Sequence, residues 1–91
     1  MVYGKFSSSV LVMRFKKKQE LKNNVRELRR GKKLTQEEFS KLILVSRQTV
    51  IAIEKEEYNP SILLALRIAE FFSAPVDDVF WLEKEGGDSD G

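Results

Sequence analysis

The stretch Leu34-Thr35-Gln36-Glu37-Glu38-Phe39-Ser40-Lys41-Leu42-Ile43-Leu44-Val45-Ser46-Arg47-Gln48-Thr49-Val50-Ile51-Ala52-Ile53-Glu54-Lys55 decides the fold. Thr35 with Glu38 three residues later fits a capping box. The threonine side chain takes the Glu38 N–H, and the glutamate reaches back to the Thr35 backbone. Leu34 before the cap and Phe39 at the fourth helical position supply a hydrophobic staple. The spacing therefore predicts a helix from Gln36 that buries Phe39, Leu42 and Ile43. It is short, because Ser46 reads as a second N-cap flanked by Val45 and Val50 at staple spacing. The next helix is expected from Arg47 to about Lys55, with Val50 and Ile53 turned inward.

Two short helices joined by a tight turn form a helix-turn-helix arrangement. Anchoring one helix through Phe39 and Ile43 and the other through Val50 and Ile53 fixes their crossing. One face of the second helix is left free, and it carries Arg47, Gln48 and Ile51. Arginine can bond guanine bidentately, glutamine can do the same to adenine, and an aliphatic group can cover a thymine methyl. These residues sit in the N-terminal half, the part of such a helix that enters the major groove. Thr35 and Ser46 read first as caps. Helix N-termini also bind phosphate through free N–H groups, and Gln36 stands at such an end.

Outward from this core the pattern stays helical. Leu21, Val25 and Leu28 are spaced by four and three, which predicts a helix from Glu20 with Lys22, Arg26, Arg29 and Arg30 on its other faces. Gly31 supplies a stop suited to a left-handed C-terminal position. Downstream, Tyr58-Asn59-Pro60-Ser61 reads as a turn followed by a cap, since Pro60 forbids a continuing helix. A fourth helix, apolar almost all round, is expected from Ile62 to about Phe72. Pro75 breaks it. Asp77 and Asp78 suit the first turn of a short fifth helix ending near Leu82. Residues 1–19 stand apart, with Ser7-Ser8-Ser9 and a β-prone run from Val10 to Phe15. They read as a basic arm, a short strand, or a leader ahead of an internal start at Met13. Residues 83–91 read as a flexible acidic tail, leaving residues 20–82 as the folded domain.

Composition narrows the chemistry. The 91 residues include no cysteine and no histidine. Disulfides, thiolate zinc sites and the commonest general base are thereby excluded. Charge is segregated: residues 1–34 hold 11 Lys/Arg against 2 Asp/Glu, and residues 35–91 hold 5 against 12. A basic front half suits a negatively charged partner. No apolar run approaches the roughly 20 residues of a membrane span. The basic run Lys16-Lys17-Lys18 follows the first apolar run instead of preceding it, unlike a secretory signal. A cytoplasmic protein without membrane contact is expected.

Taken in order, Leu34-Thr35-Gln36-Glu37-Glu38-Phe39, Val45-Ser46-Arg47-Gln48-Thr49-Val50, Ile53-Glu54, Tyr58-Asn59-Pro60-Ser61, Leu66-Arg67-Ile68-Ala69-Glu70-Phe71-Phe72 and Val79-Phe80 resemble the Cro/cI-type (XRE-like) helix-turn-helix family. The resemblance covers roughly residues 22–82. It implies an all-α, five-helix, lambda-repressor-like domain that binds double-stranded operator DNA, commonly as a dimer. By position it implies that Gln36 contacts phosphate, that Arg47, Gln48 and Ile51 read bases, and that Tyr58 and Asn59 lie in a loop touching the DNA backbone. Arg30, Lys32, Lys33, Ser46 and Thr49 complete the set expected at the backbone. The chain departs from the family at Leu44, Glu56 and Ser73, where glycine is frequent. If these adopt positive φ, each costs on the order of 1 kcal/mol. Glu56 and Glu57 place negative charge where a Gly-Lys-like pair is frequent. Leu63 and Trp81 are apolar where the family tends to be polar. With Phe80 and Leu82 they make a candidate homodimer surface.

The reading that follows is a sequence-specific transcriptional regulator, a repressor acting as a dimer on a pseudo-palindromic operator. The alternative is a protein-interaction module, such as an antitoxin whose residues 1–19 wrap a second protein. An enzyme is not expected. Ser7–Ser9 has no histidine to activate it, and the acidic pairs Glu37-Glu38 and Asp77-Asp78 are explained by helix dipoles. Neither a cofactor nor a metal ion is expected.

Overall fold

A computed structural model describes residues 19–84. Their order is strand β1 (Gln19–Asn23), helices α1 (Val25–Gly31), α2 (Gln36–Leu42), α3 (Arg47–Glu54), α4 (Ile62–Phe71) and α5 (Val76–Val79), then strand β2 (Phe80–Lys84). Leu21–Trp81 form one compact unit, and the outer strand residues 19–20 and 82–84 group separately. The expected arm or leader over residues 1–18, and residues 85–91 of the expected tail, lie outside the described residues.

The caps read from the sequence are present. Thr35 accepts from the Glu38 N–H at 3.0 Å, and Glu38 accepts from the Thr35 N–H at 2.9 Å, completing the capping box. Ser46 and Ser61 each accept the N–H of the third residue beyond, at 3.1 Å. Phe39, Ile43, Val50 and Ile53 are fully buried and pack with Val25, Ile68 and Val79. Arg67 donates to the Ile43 carbonyl at 3.2 Å, placing a cation where α2 leaves its last carbonyls unpaired.

The ends depart from an all-α domain. Residues 19–23 are a strand, not the first turns of a helix, and β1 pairs with β2. Asparagine side chains compete with helical backbone bonds, which favours caps over helix interiors. Here Asn23 accepts the Val25 N–H through Oδ1 and donates to the Ile53 carbonyl through Nδ2, both at 3.0 Å. Helix α1 therefore starts after Asn24. Leu21 still packs on the core, from a strand. Helix α5 ends at Val79, short of Leu82, and Glu83 and Lys84 belong to β2. Phe80 is 7% exposed and joins the core, so it cannot serve the dimer surface expected of it. Leu42, expected inside, is 53% exposed.

The left-handed positions are Lys33, Leu44, Glu56 and Ser73, with φ of 59°, 66°, 63° and 55°. Three of these are the glycine-poor positions singled out above. Gly31 does not take that role. It closes α1 as a helical residue, and the reversal falls on Lys33.

Candidate nucleic-acid interface

Helix α3 is held by its neighbours through polar as well as apolar contacts. The Arg29 Nε–H donates to Glu54 Oε2 at 2.6 Å, and Nη2 donates to Glu54 Oε1 at 3.1 Å. Arg29 also donates through Nη1 to the Leu34 carbonyl at 2.7 Å. Gln36 Nε2 donates to the same Glu54 Oε1 at 3.1 Å. One carboxylate on α3 thus gathers α1 and the first residue of α2. The Arg29 and Glu54 side chains are 10% and 4% exposed. Arg29, expected on an outer face of its helix, is buried instead, because Glu54 pairs with it there.

On the free side of α3, Arg47 and Gln48 are exposed, and neither side chain hydrogen-bonds to another described residue. Ser46 and Thr49 face each other, with hydroxyl oxygens 3.0 Å apart. Ile51 is half-buried, so it offers an edge and not a whole side chain. It lines a concavity of about 510 Å³ together with Arg26, Arg29, Arg30, Thr35, Gln36, Glu54 and Lys55. The Glu54 charge is matched by Arg29. Arg26, Arg30 and Lys55 are exposed cations that make no ion pair with a described residue. Gln36 keeps one amide hydrogen beyond the bond to Glu54. A concave, cationic wall next to exposed Arg47 and Gln48 can accept a phosphodiester while an adjacent helix meets base edges.

A profile of the helix-turn-helix family matches residues 25–79. The chain belongs to the XRE-type helix-turn-helix family. YgzD of Bacillus subtilis, described as an uncharacterized HTH-type transcriptional regulator, is 52% identical over 65 residues, covering 71% of this chain and 98% of that protein. An uncharacterized HTH-type transcriptional regulator of Methanocaldococcus jannaschii is 46% identical over 65 residues, with the same coverage of each chain. One from Archaeoglobus fulgidus is 38% identical over 65 residues, covering 71% of this chain and 92% of its own.

The remaining expected residues are dispersed. Arg30 and Gln36 share the concavity, whereas Lys32 and Lys33 do not line it. The Lys32 ammonium lies 5.8 Å from the centre of the Phe71 ring, drawn to its negative face. Tyr58 and Asn59 are exposed in the loop after α3. Glu56 in that loop is paired with Lys22 of β1 at 3.2 Å. Arg26 and Lys55 were missed as site residues, and Arg29 and Glu54 as their support. The signal for the pair was available. Arg29 extends the Val25–Leu28 stripe, and Glu54 extends the Val50–Ile53 stripe, both at helical spacing. Two opposite charges that each continue a buried stripe call for one another. Among the described residues, no helix is long and apolar enough to cross a membrane, and no group of three or more acidic side chains is placed to hold a metal ion.

Proposed function

We propose that this chain is a sequence-specific DNA-binding transcription regulator that acts as a dimer on a pseudo-palindromic operator and represses by occupying it. The observation that carries the reading is the state of Arg47 and Gln48. Both stand exposed at the start of a helix that Arg29–Glu54 holds in place, and neither is used inside the fold. Arg47, Gln48 and the edge of Ile51 read bases. Arg26, Arg30, Lys55 and Gln36 take a phosphate beside them, with Ser46, Thr49, Tyr58 and Asn59 on the flanking backbone. Lys32 and Lys33 add positive field. Residues 20–82 form the binding domain, and the basic residues 1–19 add an arm against the duplex. Three base readers give modest discrimination, and a second copy on a half-site about 34 Å away multiplies it. Such a protein works in the cytoplasm, on the chromosome.

Selection of bound duplexes from a random pool tests the reading. Enriched inverted repeats are expected, with preference lost at one position per half-site in Arg47→Ala. A pool that stays random through successive rounds would overturn it.

A further inference from the structure

The concavity beside α3 carries more positive charge than one DNA phosphate can match. Glu54 is the acid of its lining, and it accepts from Arg29 through both carboxylate oxygens, so that pair adds no net charge. Arg26, Arg30 and Lys55 remain, exposed and without an ion pair to a described residue. Arg26 and Arg30 stand one turn apart on α1, and Lys55 follows the last residue of α3. Cations from two helices thus surround one hollow. A phosphodiester brings a single negative charge to them.

The uncommitted polar groups of the lining are mostly donors. Each guanidinium offers five N–H groups and the ammonium three, with no acceptor among them. Gln36 keeps one amide hydrogen beyond its bond to Glu54. The Thr35 oxygen is taken by the Glu38 N–H, which leaves its hydroxyl hydrogen to donate. Side-chain acceptors are few: the Gln36 amide oxygen, and a Glu54 carboxylate already engaged three times. Ile51 is the apolar member, too little for a large hydrophobic ligand. The volume of about 510 Å³ lies within the roughly 300–1,000 Å³ of small-molecule pockets. Such a wall selects a small ligand rich in acceptors and negative charge. An ionised phosphoryl group carries about −1.5 to −2 near neutral pH, so a linked pair brings about −3, which matches the unpaired cations.

We propose that the concavity binds a free diphosphate group, inorganic or carried by a nucleotide, and that this ligand and the duplex exclude one another. Arg26, Arg30 and Lys55 match its charge, and Gln36 and Thr35 donate to its oxygens. The proposal rests on reading the same wall as a seat for a DNA phosphate, and it adds a means of release: the ligand takes the place of the operator's backbone.

Calorimetric titration of the full-length chain with inorganic pyrophosphate, and separately with ADP, measures the site at fixed ionic strength without divalent cations. One ligand per chain is expected. Arg26→Gln, Arg30→Gln and Lys55→Gln should each weaken binding about tenfold, the worth of one charge-assisted hydrogen bond. Lys41→Gln removes the same charge from an exposed lysine outside the concavity and should change binding less than about twofold. All four side chains are exposed, so the fold is retained. In a second arm, pyrophosphate should displace bound duplex with an inhibition constant equal to its directly measured dissociation constant, and sulfate at matched ionic strength should not. If Lys41→Gln weakens binding as much as the lining variants, net charge alone draws the anion and the proposal is overturned. Sulfate that competes as well as pyrophosphate, or pyrophosphate that binds without displacing duplex, overturns it too. ADP binding no tighter than pyrophosphate assigns the inorganic ion, and tighter ADP binding assigns the esterified group; both support the site. The two readings fail separately. Duplex binding without pyrophosphate binding removes this site alone. Pyrophosphate binding that depends on the three lining cations, in a chain that binds no duplex, keeps the site and removes the DNA reading.

Discussion

The guanidinium of Arg29 and the carboxylate of Glu54, 25 residues apart, are joined by two hydrogen bonds that tie α1 to α3. Removing water from both groups is costly, and their attraction offsets that cost only while both are present. Arg29→Ala or Glu54→Ala should lower unfolding stability by about 3–5 kcal/mol, because each strands a buried charge. Replacing both with methionine and leucine should recover most of the loss. Urea titration of the single and double variants provides the comparison. A strictly additive double variant would show that the two residues do not act as a pair.

The four left-handed residues offer a reverse experiment, in which substitution stabilises. Non-glycine residues lose about 1–2 kcal/mol in this region, while glycine adds freedom to the unfolded chain. Leu44→Gly and Ser73→Gly should each gain about 0.5–1 kcal/mol, read as a higher denaturation midpoint at unchanged slope. Glu56→Gly should gain less, since it also breaks the pair with Lys22. A loss at Leu44 would mean that its side chain holds the turn together.

Phe80 separates core from interface. At 7% exposure, Phe80→Ala should cost about 3–5 kcal/mol, whereas Leu82→Ala, at 61%, should change stability by less than about 0.5 kcal/mol. Chemical unfolding at low protein concentration measures both. If Phe80→Ala altered association and left unfolding untouched, the side chain would belong to an interface after all.

These residues also show what the sequence can and cannot carry. Local signals were legible: Thr35, Ser46 and Ser61 announced their helices, and the strained positions Leu44, Glu56 and Ser73 stood out by lacking glycine. Pairings across the chain were not. The run from Gln19 to Asn23 has no alternation strong enough to mark a strand. It becomes one by pairing with Phe80–Lys84, nearly sixty residues on. Without that partner in view, Phe80 and Leu82 look alike, as apolar residues near the chain's end. Leu42 continues a helical stripe on paper, yet the buried face of this helix runs through Phe39, Ser40 and Ile43, which turns Leu42 away from the core. The base-reading residues followed from the free face of α3. The cationic wall beside them needed α1 and α3 in three dimensions, so Arg26 and Lys55 emerged only from the structure.

How DNA is read divides into two measurable roles. Arg47 at the first turn of α3 should specify a base, so Arg47→Ala should cost about 1–3 kcal/mol on the preferred site and relax preference at one position. Arg26 and Lys55 line the concavity and are expected at a phosphate. Arg26→Ala and Lys55→Ala should weaken all duplexes alike and lower the salt slope by about one each, since each removes one counterion-releasing contact. Gln36 is neutral, so Gln36→Ala should reduce affinity with little change in that slope. Glu56 opposes the polyanion, but its charge is shared with Lys22. Glu56→Lys should therefore tighten random duplexes and steepen the slope, at a stability cost below about 1 kcal/mol from the lost partly exposed pair. Binding isotherms at several salt concentrations, on the selected operator and on a scrambled duplex, resolve the five variants. If Arg47→Ala weakened both duplexes equally while Lys55→Ala changed only the operator, the two roles would be exchanged. The concavity, and not the exposed turn of α3, would then be facing the bases.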